Sequence, residues 1–451
     1  MIPAARARRI GAALATLAFA GCAASLLSQR GVEPSAYEKL VARTVAVRRL
    51  PLRQPVPARV IDQAQVPAVL RATLEAGLSP GEVEAYQDAL VAIGLWPDGE
   101  NLVDQYLAVA KEEVIGFYVP QDRVLYIVRD ASVPFWGRVL SLFTRHDTVR
   151  EIVIGHELIH ALQHQNHPDL VEHDRFLKNQ DDLSSALEAT TEGDATFFSF
   201  AVPEPPLPAT DPTEFREDME RDASGRAEGA LAGAPALLRE GLYFPYAWGY
   251  GLSYREGSPL LEDPPISTEQ VLHSERRHEP FVALDLSPGR ALLPKGCAFV
   301  HENGVGEFGL SVLFKDLSPP EMPPDATSWE GWNGDRYLVA RCNGQREFLW
   351  LTVWDSEQDA REFEAAYGNI TGGLCARAGY PSPPALSRHG VEVQVVTPGL
   401  AGVAEAIASR ARRGKVSTLR EILAFYGEPA LEESSSPPPE GPQGTLGLLP
   451  R

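Results

Sequence analysis

The strongest constraint on this chain lies in residues 148–166. There Val149, Ile152, Val153 and Ile159 recur at the spacing of one helical face, and Thr148-x-x-Glu151 has the form of a capping box. The segment predicts a helix with one buried side that carries His156-Glu157-Leu158-Ile159-His160 and, one turn on, His164. Residues four apart lie about 40° apart around a helix axis and one turn apart along it. The imidazoles of His156 and His160 therefore face a common point, and other elements must close around it.

Two imidazoles so placed suit a metal ion, zinc above all, and Glu157 adjoins that face without being a ligand. The competing possibility is a helix whose histidines are solvated or hydrogen-bonded in a core. Against it stands the clustering: three of the ten histidines in 451 residues fall within ten positions. His164 extends the face, but a second step of four carries it past the ion, so it is expected as a neighbour. A second helix is expected at 183–201, and on it Glu188 and Glu192 are one turn apart, so helix geometry does not choose between them as third ligand. Ser185-x-x-Glu188 has capping-box form, which would tie up the Glu188 carboxylate, whereas Glu192 has no such demand and is followed by the small Gly193 and Ala195.

A hydrophobic content of 44% over this length is ample for a buried core and for two domains. The formal charge of −20 argues against nucleic acid as a partner, because phosphate binding needs a concentrated basic surface. Arg6, Arg8 and Arg9 precede an apolar run from Ile10 to Phe19 that is too short to span a bilayer. The run ends in Leu17-Ala18-Phe19-Ala20-Gly21-Cys22, which resembles the bacterial lipoprotein signal and implies a lipid anchor on Cys22; an ordinary cleaved signal is the alternative. Ala23 merely lacks the aspartate that marks inner-membrane retention in some bacteria, so the sequence leaves the membrane open between inner and outer, with the outer membrane as the working expectation and the chain facing periplasm or exterior. Of the remaining Cys297, Cys342 and Cys375, at most one pair can bridge within the chain, and their spacing matches no zinc-cysteine motif.

The expected organisation is a signal segment (1–22), a tether leading into a first strand (23–60), a catalytic domain (61–285), a smaller α+β domain (286–427) and a disordered tail (428–451). Prolines 51, 55 and 57 are expected to prevent a long helix in the second of these. Helices are expected at 62–76 and 79–93, and a hairpin at 114–128 around Pro120-Gln121-Asp122. From Gly334 the order is strand (335–342), strand (347–354), helix (356–367), strand (391–397), helix (400–412). The fold class is thus α+β.

The motifs resemble those of the gluzincin metallopeptidases, in which two histidines of H-E-x-x-H and a glutamate from a following helix hold zinc. The matching residues are His156, Glu157, His160 and, within Glu192-Gly193-Asp194-Ala195, Glu192. More closely, the chain resembles bacterial lipoproteins with a Gly-Phe-Tyr hairpin (here Gly116-Phe117-Tyr118), a His-Glu-Leu-x-His-Ala-Leu-Gln helix and a Glu-Gly-Asp-Ala helix. Phe244-Pro245-Tyr246, Pro264-Pro265-Ile266-Ser267-Thr268-Glu269-Gln270 and Gly331-Trp332-Asn333-Gly334-Asp335-Arg336-Tyr337 continue the similarity, and His164 departs from it, standing where an acidic residue is expected. The resemblance implies a zincin-like catalytic domain and makes Glu192 the third ligand.

The function expected is that of a zinc metallopeptidase that hydrolyses peptide bonds in a peptide or protein substrate, with Glu157 as general base. The strand Val124 to Asp130 could accept an extended substrate by edge pairing. Tyr246, Tyr250, Tyr254 and His273 are candidates to stabilise an oxyanion, although tyrosines in such an aromatic run also suit a packed core. Gly304-Val-Gly-Glu-Phe-Gly309 fits a dinucleotide fingerprint, but Glu307 and the prolines that follow argue for a simple turn. Two other classes stay open: a zinc amide hydrolase acting on cell-wall peptide, and a non-catalytic surface lipoprotein that binds a partner.

Overall fold

The computed structural model describes residues 26–28, 31–77, 81–129, 146–173, 177–225 and 229–427. The signal segment with Cys22 and the 428–451 tail lie outside the described residues. The chain is α+β. Its first part contains α1 (Pro34–Arg48), β1 (Ala58–Ile61), α2 (Val66–Gly77), α3 (Glu82–Ile93), α4 (Leu102–Glu113), β2 (Gly116–Val119), β3 (Val124–Val128), α5 (His146–Asn166), α6 (Asp181–Ser199), α7 (Pro212–Gly225) and α8 (Ala236–Glu256). There follow β4 (Phe281–Asp285), β5 (Cys297–Asn303), α9 (Gly306–Leu317), β6 (Trp332–Cys342), β7 (Gln345–Trp354), α10 (Glu357–Ala378), β8 (Ala385–His389), β9 (Glu392–Val396), α11 (Ala404–Arg410), β10 (Arg412–Val416) and α12 (Leu419–Tyr426).

A three-stranded sheet of order β1-β3-β2 lies against the histidine helix α5. Its central strand, Val124-Leu-Tyr-Ile-Val128, is buried at every position, so both of its faces are covered. This corrects the expectation that residues 124–130 form a substrate-accepting edge. β3 pairs in parallel with β1 and antiparallel with β2, so the edge strand beside α5 is β2. The 23–60 segment also differs from a plain tether. Pro34 stands at the start of α1, where a missing N–H costs nothing, and Pro51 falls beyond its end at Arg48, so the prolines bracket a helix instead of forbidding one.

The second part is built on a five-stranded antiparallel sheet of order β8-β9-β7-β6-β5, with β4 and β10 forming a separate pair. β4, which precedes residue 286, thus has its partner at 412–416. Cys297 and Cys342 face each other across β5 and β6 and are disulfide-bonded, while Cys375 is not bridged. A continuous hydrophobic core joins the sheet residues Trp332, Trp350 and Trp354 to Phe363 and Tyr367 of α10, Phe314 of α9, Leu90 of α3 and Leu187 of α6. At its polar centre the Asp335 carboxylate accepts four bonds of 2.8–2.9 Å, from the backbone N–H groups of Val305 and Gly306 and the indoles of Trp332 and Trp350. The glycine-rich stretch 304–309 is therefore the turn into α9, and its amides are committed within the protein, those of Val305 and Gly306 to Asp335, that of Gly304 to Asn303 and that of Phe308 to Thr268, not to a pyrophosphate.

Helices α6 and α8 cross at Gly193 and Gly249. A β-carbon at Gly193 would stand 2.1 Å from the carbonyl carbon of Gly249, and one at Gly249 would stand 2.0 Å from the carbonyl oxygen of Ala189. Both obstacles are backbone and cannot swing aside. Gly to Ala within a helix ordinarily gains about 1 kcal/mol of helix propensity. Here Gly193→Ala is expected to destabilise the fold by about 1–3 kcal/mol, as overpacking does. Thermal unfolding of Gly193→Ala beside Gly233→Ala, whose β-carbon meets nothing within 4 Å, checks this; an unchanged or raised midpoint for Gly193→Ala contradicts the close crossing.

Candidate metal centre

α5 and α6 bring together His156, His160 and Glu192. His156 Nε2 lies 3.0 Å from Glu192 Oε2 and 2.9 Å from His160 Nε2, and His160 Nε2 lies 3.3 Å from Glu192 Oε2. Among the described residues this is the one group of three His, Cys, Asp or Glu side chains whose ligand atoms converge closely enough to hold a metal ion. Glu188 is not part of it. It is exposed one turn earlier on α6, and Ser185 is the fifth residue of a helix that begins at Asp181, so the supposed capping box lies inside the helix. Thr148 likewise lies inside α5, where Glu151 pairs instead with Arg43 of α1 at 3.0 Å.

The donors suit a divalent cation, and the surrounding hydrogen bonds fix the form they take. Gln163 Nε2 donates to Thr191 O at 2.9 Å and to Asp194 Oδ2 at 2.7 Å, which turns Gln163 Oε1 toward His160 Nδ1 at 2.9 Å. An amide oxygen only accepts, so Nδ1 of His160 carries the proton and its Nε2 is left as the ligand atom. Asp194 is held in turn by Arg48 Nε at 2.8 Å, both side chains being almost fully buried. Burial disfavours a charge on His160, but the Glu192 and Glu157 carboxylates outweigh it and raise its pKa to about 9. Burial opposes ionisation of Glu192 as well, yet the two histidines hold its carboxyl well below the ordinary range. A cation is what this cluster favours.

Glu157 is not one of the three clustered side chains. Its carboxylate accepts the backbone N–H of Tyr118 on β2 at 2.9 Å. Burial raises its pKa, against the lowering effect of His160 and His156. His164 turns away from the cluster, with Nδ1 2.8 Å from the Tyr118 hydroxyl and Nε2 3.6 Å from Glu172. Of the four oxyanion candidates only Tyr246 reaches the centre: its ring stacks on His156 at 5.9 Å between centroids, and burial, with the nearby Glu192 carboxylate, raises its pKa well above the ordinary value. Tyr250 bonds the backbone of Thr210 among packed phenylalanines, Tyr254 is exposed, and His273 pairs with Glu307 at 2.7 Å.

A cavity of about 560 Å³ opens beside the centre, with Glu192 and Tyr246 in its wall. Sequence reasoning missed this cavity and the supporting trio Gln163, Asp194 and Arg48. Gln163 and Asp194 had a signal, since both stand inside the two helix motifs; Arg48 had none.

A family described as a domain of unknown function (DUF8575) matches residues 297–416, which span β5 to β10 and exclude the metal-ligand cluster. No curated protein and no solved structure shows a significant match to the chain.

Because His160 binds a proton up to about pH 9, that proton must leave before Nε2 can ligate a metal. Metal affinity is therefore expected to rise about tenfold per pH unit between pH 6 and 8, and Gln163→Ala to lower it about 10–100-fold by releasing the imidazole. Zinc titrations against a competing chelator, with wild type at three pH values and the variant at one, measure both. A flat pH profile or wild-type affinity in the variant contradicts the arrangement.

Proposed function

We propose that the chain is a zinc metallopeptidase whose ligands are His156, His160 and Glu192 and whose general base is Glu157. The observation that carries this is the convergence of two imidazole nitrogens and a carboxylate oxygen within 3.3 Å, next to a second, non-clustered carboxylate, that of Glu157, aligned by the backbone of an edge strand. These three side chains would hold zinc with a position left open, and the metal would there supply acidification of water and polarisation of a carbonyl.

The chain's own residues supply the rest. The Tyr118 N–H fixes the Glu157 carboxylate, and its raised pKa suits a group that takes a proton from the attacking water and delivers it to the leaving amine. The Tyr246 phenol adjoins His156 and offers the hydrogen-bond donor that a developing oxyanion needs. An extended peptide would pair with β2, the edge strand beside Glu157. A purely structural zinc in a partner-binding lipoprotein would have no use for Glu157 beside three ligands.

The test is metal analysis beside cleavage of peptide and cell-wall libraries. Wild type is expected to carry one zinc and to be inactivated by chelation. Glu157→Gln is expected to keep the zinc and lose about 10²–10⁴-fold in turnover. Cleavage confined to cell-wall peptide would shift the substrate class to the cross-link, and full activity of Glu157→Gln would remove the assigned base.

The same proposal places the protein at a bacterial membrane through a lipid on Cys22. Among the described residues no helix is long and apolar enough to cross a membrane. Cys22→Ser is expected to move the protein from the membrane pellet to the soluble fraction, and continued pelleting after a salt wash would exclude the anchor.

A further inference from the structure

We infer that the cavity beside the metal cluster is a specificity pocket for a cationic group on an apolar stem, a primary ammonium or guanidinium carried by the substrate. This rests on the peptidase proposal, because it takes the cluster as the point where the substrate's carbonyl sits. The polar wall is one face of α6. Asp181, Ser185, Glu188 and Glu192 all line the cavity, and their spacing of four, three and four residues keeps them in one row. At the helical rise, Glu188 stands about 6 Å and Asp181 about 16 Å along the axis from the metal ligand Glu192. The nearer distance is of the order that a lysine or arginine side chain reaches from a backbone held at the cluster.

The opposite walls are apolar, made by Leu90, Leu95, Leu237, Leu238, Leu242 and Phe308, and among the described residues no Lys or Arg lines the cavity. Within the polar wall Asp181 accepts the Tyr86 hydroxyl at 2.8 Å and the Asn303 side-chain amide at 2.7 Å, which orient its carboxylate. A second, independent sign of a ligand is Tyr337. It lines the same cavity, is 1% exposed, and its hydroxyl oxygen is buried without a hydrogen-bond partner. A phenol oxygen left so is satisfied by a ligand N–H, and an ammonium or guanidinium has one to give. Apolar walls that cover a methylene stem and carboxylates that meet its head are what a long basic side chain requires. A carboxylate ligand is repelled by the same row, and the net charge of −20 draws cations toward the molecule.

Gly304, Val305, Phe308 and Tyr337 belong to the region matched by DUF8575, so that region supplies one wall of the pocket. Its part in the function is to select the substrate.

The test separates this pocket from the peptidase proposal. Binding of hexylamine and of hexanoate to the full chain stripped of metal is measured by calorimetry, which needs no turnover. Hexylamine is expected to bind at least tenfold more tightly than hexanoate. Glu188→Gln, at an exposed helix position that tolerates the change, is expected to weaken hexylamine at least fivefold, and Tyr337→Phe to weaken it severalfold without affecting hexanol. Equal binding of hexylamine and hexanoate, or wild-type hexylamine binding in both variants, overturns the pocket even if peptides are cleaved. Hexylamine binding that depends on Glu188 in a protein that cleaves no amide leaves the cation pocket standing and removes the peptidase proposal. With active enzyme, peptides carrying one Lys or Arg and a blocked N-terminus, set against Lys-free peptides with a free N-terminus, distinguish a side chain from a terminal ammonium. Cleavage indifferent to both overturns the pocket's role in specificity.

Discussion

Asp194 is fully buried, and its carboxylate receives the Arg48 guanidinium from α1 and the Gln163 amide from α5. A buried carboxylate without such partners would be costly, and burial does push its pKa up, so Arg48 and Gln163 are needed to keep it in place. The arrangement also has direction. The Gln163 amide that donates to Asp194 presents its oxygen to His160, and that contact sets the tautomer with which His160 faces Glu192. One buried charge therefore joins the first helix, the histidine helix and the glutamate helix, and it determines which atoms can meet a metal.

α6 carries two kinds of information on two faces. One face presents Asp181, Glu188 and Glu192 to the cavity. Another lies against α8 at Gly193 and faces the Arg48–Asp194 pair. Its first turn is held from the C-terminal part of the chain, through Asn303 on Asp181 and Thr268 on Asp182. The chain from Thr268 onward thus fixes the angle at which the glutamate helix approaches the histidines, and its hydrophobic core is shared with α3 and α6.

How much of this could be read in the sequence follows from how local each feature is. The helix at 146–166, its His156 and His160 face and the 116–128 hairpin are legible because apolar periodicity and turn residues are local signals. Both capping boxes failed: Thr148 and Ser185 lie inside their helices, since the pattern S/T-x-x-E also occurs where the glutamate is wanted for something else, such as the pair between Glu151 and Arg43. Arg48 was illegible because its partner Asp194 is 146 residues away and α1 stands among prolines. The choice of β3 as the edge failed for a related reason. Only the parallel pairing of the distant β1 makes that strand central, and no local pattern reports it. The cavity was illegible as well, because its walls come from seven separate stretches of chain that only the fold assembles.

The close crossing of α6 and α8 has a consequence for how the length of such a chain could change. α6 is pinned at Asp181 by Asn303 and at Gly193 by the backbone of Gly249, with Glu192 just before the second pin. Each helical residue turns the next by about 100°, so one residue inserted or deleted between the pins would swing Glu192 off the histidines or force the glycine crossing apart. The span from Asp181 to Gly193 behaves as a ruler of fixed count, and changes in length would have to fall outside it, in the segments that join α6 to its neighbours.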